Sequence, residues 1–425
     1  MFCNGACGDA LQSSLENGEV IIELDDNRAR RNALVLAIAS GLNGIGAFVL
    51  MTLGGIIGQI LSSRDDLATL PIATYSIGSL LMLYPASMFM QKFGRRVGFL
   101  AGAELGFIGA LIGVYAIYQQ SFTLFCVSAA FTGFYQAFAN FYRFAAADTG
   151  RPGIRAKAVS WVMLGGLASA ILGAQFVIQT KDLLAPVFYA GAFLASSVLA
   201  IASMIVLYFV DVPHSPVHRY DNLDGETPRP LREILRQKKI RIAILTGTIS
   251  HGVMMFGMTA APIAMMACNH SLGAVAGVIQ IHLLAMYLPG FFTGNLINRF
   301  GVERIMLSGL VLLVIAGSIA SFGIELSRFA VAMGVLGLGW NLSFVGATTL
   351  LTQCYRPSER GMVQGFNELV VFGFVALAAL MAGPILKYSG WSGINITLIP
   401  FVLASIALVV WLYVRDKKIS GLTTS

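Results

Sequence analysis

Long apolar runs alternate with short polar breaks along almost the whole chain. Twelve runs stand out, at about 33–61, 67–91, 97–118, 121–147, 156–179, 186–210, 240–266, 272–298, 303–323, 326–354, 360–386 and 391–414. At about 1.5 Å per helical residue, each can cross a hydrocarbon core about 30 Å thick. None shows the period-two alternation of a barrel strand. Inside lipid the backbone must pair within its own segment, so helices are the expected form. The pattern predicts an all-α membrane protein with twelve transmembrane helices.

The breaks are unequal. Residues 211–239 form the longest interior one, with Pro213, Pro216, Pro228, Pro230 and many charges. The expected organisation is a polar tail at 1–32, a six-helix bundle at 33–210, a linker at 211–239, a second six-helix bundle at 240–414 and a tail at 415–425. The linker ends in PLREILRQKK, which reads as a short amphipathic helix at the membrane surface.

Composition agrees with this picture. The chain is 56% hydrophobic and only 12% charged. That excludes disorder and leaves too little charge to coat several soluble domains. The net charge of +7 would suggest nucleic acid in a soluble protein. Its placement removes that reading. With both ends on one side, 23 of the 28 Lys and Arg fall on that side, four on the other (Arg64, Lys181, Arg328, Lys387) and one, Arg143, inside a run. Such a bias predicts cytoplasmic termini in a plasma membrane, the inner membrane in a bacterium. Residues 1–32 lack the apolar stretch of a cleavable signal. Cys3, Cys7, Cys126, Cys268 and Cys354 are too scattered for a disulfide framework, and Cys3 with Cys7 make only half of a usual metal site. No cofactor or metal is expected.

The two halves repeat one another. RPGIR at Arg151 to Arg155 is matched by RPSER at Arg356 to Arg360, an offset of 205. KFGRR around Gly94 is matched by RFGVER around Gly301, an offset of 207. Parallel six-plus-six repeats place a substrate site between the halves near the bilayer midplane.

On these motifs the chain, over about residues 33 to 414, resembles the major facilitator superfamily. The resemblance implies a secondary transporter whose helices 1, 4, 7 and 10 line a cavity, with helix 11 at the interface between halves and helix 3 on the periphery. In SMFMQKFGRR, Gly94, Arg95 and Arg96 match the family's loop after helix 2. The acid of that motif, part of a cytoplasmic latch, is replaced by Gln91, and by Asn298 in the second copy. Asp148 resembles the family's acid at the end of helix 4 and could pair with Arg95, Arg96 or Arg155. The family's drug-antiporter signature in helix 5 lacks its proline here, since Gly173 is followed by Ala174.

Polar residues inside the runs supply the candidate chemistry, because burying them is costly. Gln136, Asn140 and Arg143 form one helical stripe. Asn341, Thr348 and Thr352 form another, and the 205 offset pairs Gln136 with Asn341 and Arg143 with Thr348. Tyr135, Tyr142 and Trp340 border these stripes, and Asn43 adds an amide from helix 1. Both stripes could also serve helix packing. Arg143 suits an anionic or carbonyl-bearing solute through its fork of donors. Glu368 reads either as a gate contact for Arg143 or as a proton-coupling carboxyl, and Glu104 as structural. His251 and His282 read as packing or as proton carriers. Arg360 belongs with the gating loops.

No Walker-type loop and no Ser-His-acid motif with its context is present, so the expectation is a transporter and not an enzyme. The expected solute is a small organic molecule, polar or anionic, and ring-bearing. Protons are the expected coupling ion, the lipid bilayer the only other partner, and the monomer the working unit. A receptor or scaffold on the same fold is the alternative.

Overall fold

The computed structural model describes residues 26–148, 152–212, 229–356 and 359–422. Among them the chain is helical, with no strand. Span 1 is Asp26–Leu61, span 2 Leu70–Phe93 and span 3 Arg95–Tyr118. Span 4 is Phe122–Ala139 continued, after a break, by Tyr142–Asp148. Span 5 is Pro152–Thr180 and span 6 Ala190–Leu207. Span 7 is Lys238–Ala267, and span 8 is Leu272–Tyr287 continued by Gly290–Phe300 after Pro289. Span 9 is Val302–Ser321 and span 10 Leu326–Thr352. Spans 11 and 12 lie in Arg360–Leu422, parted at Gly390, whose φ of 65° ends the first of them.

Two boundaries differ from the sequence pattern. Span 1 begins at Asp26 and not at 33, because the polar stretch ahead of the apolar run is itself helical; Asn32 bonds the chain at Asp211 through Nδ2 at 2.8 Å and Oδ1 at 3.0 Å. The last helix continues to Leu422 and not 414, carrying the basic residues of the tail. Hydropathy marks the apolar middle of a helix, not its polar ends.

Spans 1–6 pack mainly with one another, as do spans 7–12. The internal repeat is visible in the backbone. Gly94 and Gly301 both sit at φ 89°, with ψ 157° and 151°, each joining two helices at a sharp corner. Side chains rarely adopt that geometry, so glycine is required at both. Close helix crossings repeat as well. A Cβ on Gly133 of span 4 would strike the Tyr75 carbonyl of span 2, and one on Gly337 of span 10 would strike the His282 carbonyl of span 8.

One face of the molecule carries Asp26, the described ends of the linker and the end of span 12; it is called the terminal face below. The halves meet toward the opposite face. There Lys387 Nζ lies 3.5 Å from Asp66, and the Gly383 amide donates to Thr69 Oγ1 at 3.0 Å. Ile263 of span 7 packs on Gly55 of span 1. Nearer the middle, Gln280 Nε2 donates to the Ile171 carbonyl at 2.6 Å, and Tyr287 covers Gly166. Toward the terminal face exposure grows: Arg143, Phe144 and Thr348 are exposed, and Gly361 and Gly365 have open space before them. The halves thus touch at one end and part at the other.

Candidate functional site

The first half contributes a polar wall. Asn43 Nδ2 on span 1 donates to Gln136 Oε1 at 2.9 Å, and Gln136 Nε2 donates to Asn140 Oδ1 at 2.9 Å. A single chain of amides thus ties span 1 to span 4. Gly46, one turn on from Asn43, has nothing within 4 Å of where its side chain would be, so space is open beside the chain. Span 4 breaks immediately after Asn140, and the short helix beyond carries Arg143. Its guanidinium lies 4.8 Å from the centre of the Phe144 ring.

The second half contributes an aromatic wall. Trp340 and Phe344 of span 10 stack with ring centres 5.0 Å apart and planes 13° from parallel. His251 of span 7 meets both edge-on, at 5.4 Å and 5.0 Å, and Phe372 of span 11 at 5.7 Å. The face of span 10 opens from Trp340, nearly buried, through Phe344 to exposed Thr348. Trp340 Nε1 and His251 Nδ1 are buried with no hydrogen-bond partner. Buried polar atoms are almost always paired, so these two groups remain for a solute or water.

Arg143 lies within electrostatic range of Glu368 on span 11, without an ion pair between them among the described residues. Glu368 and Phe372 are four residues apart on span 11 and share its face. The carboxylate therefore stands one turn from the aromatic group and within electrostatic reach of the polar wall.

Several sequence-based expectations need correction. Tyr135 and Tyr142 do not face this space. The Tyr135 hydroxyl pairs with Ser203 Oγ of span 6 at 2.6 Å, and Tyr142 is fully buried edge-on to Phe99 of span 3. Asn341 turns toward span 8, accepting from Thr293 Oγ1 at 2.6 Å and donating to the Met286 carbonyl at 2.8 Å. The Gly133–Gly337 crossings are 204 residues apart, so Trp340, not Asn341, is the counterpart of Gln136. The RPxxR motif gives 205, and the break in span 4 lies between it and the crossing. One residue turns a helix face by about 100°, enough to swap an aromatic for an amide. Thr348 gives its hydroxyl to the Phe344 carbonyl at 2.9 Å.

His282 is fully buried, its Nδ1 2.9 Å from the Met333 carbonyl, between spans 8 and 10. Glu104 is exposed on span 3 and makes no hydrogen bond or ion pair among the described residues. Arg96 lies over the Tyr208 ring at 4.1 Å, joining spans 3 and 6, and Arg95 opens span 3. The side chains of Asp148, Arg155 and Arg360 lie outside the described residues, as do Cys3 and Cys7. Among the described residues no His, Cys, Asp and Glu gather as a metal site.

Phe344 and Phe372 escaped the sequence reading. Their spacing of four from Trp340 and from Glu368 was the available signal.

The comparisons agree with this architecture. The family model of the Major Facilitator Superfamily matches residues 36–286 and 248–424. The riboflavin transporter RfnT of Brucella anthropi is 42% identical over 378 residues, covering 89% of this chain and 94% of that protein. The uncharacterized MFS-type transporter YdeG of Bacillus subtilis is 27% identical over 416 residues, covering 95% and 96%. A crystal structure of a mutant of the nucleoside transporter NupG superposes with a TM-score of 0.70 at 11% identity, covering 90% of this chain and 99% of that one. The chain belongs to the Major Facilitator Superfamily.

Proposed function

We propose that this protein carries riboflavin, or a closely related flat heterocycle, across the membrane by alternating access coupled to protons. The observation that carries the reading is the pairing of two unlike walls. Trp340 and Phe344 offer stacking faces with His251 and Phe372 at their edge. The amides of Asn43, Gln136 and Asn140, with Arg143, offer hydrogen bonds. A flat ring with polar atoms on its rim needs both at once. The 42% identity to a riboflavin transporter supports the same solute.

The terminal face is the cytoplasmic one on this reading, because it carries most of the Lys and Arg. The described state is then open to the cytoplasm. Closing it requires the Lys387–Asp66 and Gly383–Thr69 contacts to part as the terminal ends come together. Arg143 and Glu368 are the pair whose approach would report that motion. Glu368 takes up and releases the proton as the pair forms and breaks.

The test is uptake of radiolabelled riboflavin into proteoliposomes, with and without a pH gradient, beside nucleosides and a drug panel. Accumulation of riboflavin that collapses with the gradient supports the reading. Glu368→Gln should retain binding and exchange but lose the response to the gradient. Binding of riboflavin without movement across the bilayer would make the protein a receptor and end the transport proposal.

A further inference from the structure

The linker ends in a feature that transport does not use. Leu231–Ile234 is a short helix at the terminal face, begun by Pro230 and followed by a turn into span 7. Ile234 is fully buried and anchors it. Just ahead of it, Arg229 is clamped to Glu359, from Nε to Oε1 at 2.7 Å and from Nη2 to Oε2 at 2.9 Å. The helix is therefore held in one place against the second half.

Leu231, Arg232, Leu235, Arg236 and Arg241 line one open concavity of about 470 Å³. All three arginines are exposed, and none pairs with a carboxylate or carbonyl among the described residues. Three cations share a hollow with no counter-ion among the described residues, an arrangement that favours an anion. The two leucines beside them are half-buried, so the hollow is apolar on one side.

Its level in the membrane is marked independently. Trp411, near the end of span 12, is 45% exposed. Lys238 Nζ lies 5.0 Å above its ring and the Arg415 guanidinium 5.2 Å. A tryptophan held between cations is characteristic of the layer where headgroups meet acyl chains. Lys238 is three residues from Arg241 on the first turns of span 7, so the hollow opens at that same layer.

We propose that this hollow binds the headgroup of an anionic phospholipid from the surrounding bilayer. The phosphate would sit among Arg232, Arg236 and Arg241, and the glycerol and upper acyl chains against Leu231 and Leu235. A soluble phosphate would use the arginines but gain nothing from the leucines.

The test is native mass spectrometry of the full-length protein with phosphatidylglycerol, phosphatidylcholine or inorganic phosphate added at equal concentration. The wild type should retain phosphatidylglycerol at least about tenfold more than phosphatidylcholine, since each basic residue near a headgroup contributes about 1 kcal/mol. Arg232→Gln with Arg236→Gln and Arg241→Gln should abolish that preference. Arg30→Gln with Lys92→Gln and Arg299→Gln removes equal charge from the same face and should preserve it. Leu231→Ser with Leu235→Ser should weaken lipid retention and leave phosphate unaffected. Unchanged lipid preference in the triple arginine variant overturns the site, as does equal loss in the control variant. Inorganic phosphate that displaces the lipid at equal concentration overturns the bilayer as its source.

Discussion

The two halves share a frame and differ in the wall each presents. Gly94 and Gly301 hold the same corner, and the Gly133 and Gly337 crossings repeat. Yet where the first half sets Gln136 in an amide chain, the second sets Trp340 in an aromatic stack. The frame is preserved because glycine geometry and helix crossings permit no substitute. The walls are freer to diverge because different side chains can join neighbouring spans, an amide chain in one half and an aromatic stack in the other. A symmetric cavity would grip a solute equally from both sides. On the proposed function this one sorts its contacts, with directional bonds on one side and stacking on the other.

That contrast is most severely tested at Arg143. It is the cation of the polar wall and lies within electrostatic range of Glu368 across the halves. On the proposed function, Arg143→Ala removes a solute contact and the positive charge that bears on Glu368. A hydrogen bond to a charged group contributes about 1.5–3 kcal/mol, so riboflavin uptake should fall about tenfold to a hundredfold. Arg143→Lys should restore little, because an ammonium cannot reproduce a planar fork. Wild-type uptake in either variant would remove Arg143 from the site.

Trp340→Ala is the matching test on the aromatic wall. Aromatic pairing contributes about 0.5–1.5 kcal/mol beyond the area that it buries. Riboflavin affinity should weaken about tenfold, while a non-aromatic competitor is unaffected. Trp340→Phe should recover most of the loss, since a face remains. If Trp340→Ala and Gln136→Ala weaken flat and non-flat solutes alike, the division of labour between the walls is wrong.

How far the sequence went follows from the same contrast. Twelve spans were legible because lipid demands apolar length, and the repeat was legible because loop motifs are short and rigid. Asn43, Gln136, Asn140 and Arg143 could be grouped because a polar atom in an apolar run has few other reasons to be there. Tyr135, Tyr142 and Asn341 were misplaced because rotation about a helix axis is set by packing. A break such as that after Asn140 shifts the register by a residue without leaving a mark in hydropathy. Phe344 and Phe372 were invisible because an aromatic facing a cavity is written in the same letters as one facing lipid.

The ends of the linker extend the comparison from cavity to scaffold. On the first half, Asp211 pairs with Arg28 at 3.4 Å and Arg31 at 3.3 Å, half exposed to solvent. On the second, Glu359 is fully buried; besides the Arg229 side chain, it accepts from the amides of Arg229 at 3.1 Å and Arg356 at 3.0 Å. Asp211→Asn should cost less than about 1 kcal/mol, as exposed pairs do. Glu359→Gln should cost about 2 kcal/mol, because hydrogen bonds to a charged group are lost in a buried site. The Arg229 side-chain bond is the main cause that holds the Glu359 pKa down, to about 2 from 4.5. A depressed carboxyl pKa stabilises the fold above its unfolded value. The clamp should therefore persist through neutral and mildly acidic pH, and weaken only between about 4.5 and about 2. Thermal melts of the two variants across that range decide the point, and equal losses would erase the distinction between the linker's ends.

The smallest effect expected is at Thr348. It has the sequence credentials of a site residue, a hydroxyl on the cavity-lining span near the depth of Arg143. Its hydrogen, however, is already given to the Phe344 carbonyl at 2.9 Å, one turn back on its own helix. A hydroxyl bonded in this way is spent on its own backbone and offers a solute only weak accepting capacity. Thr348→Val keeps the shape and removes that bond, whose net value in an exposed place is about 1 kcal/mol or less. Riboflavin uptake should stay within about twofold of wild type. Gln136→Leu, of similar bulk to the amide it replaces, should by contrast break the chain from Asn43 to Asn140 and reduce uptake about tenfold, by roughly one charge-free hydrogen bond and one stranded partner. The ratio of these two losses is the sharpest measure of the asymmetry. A tenfold loss at Thr348 would place hydrogen bonding on both walls and make the cavity a symmetric one after all.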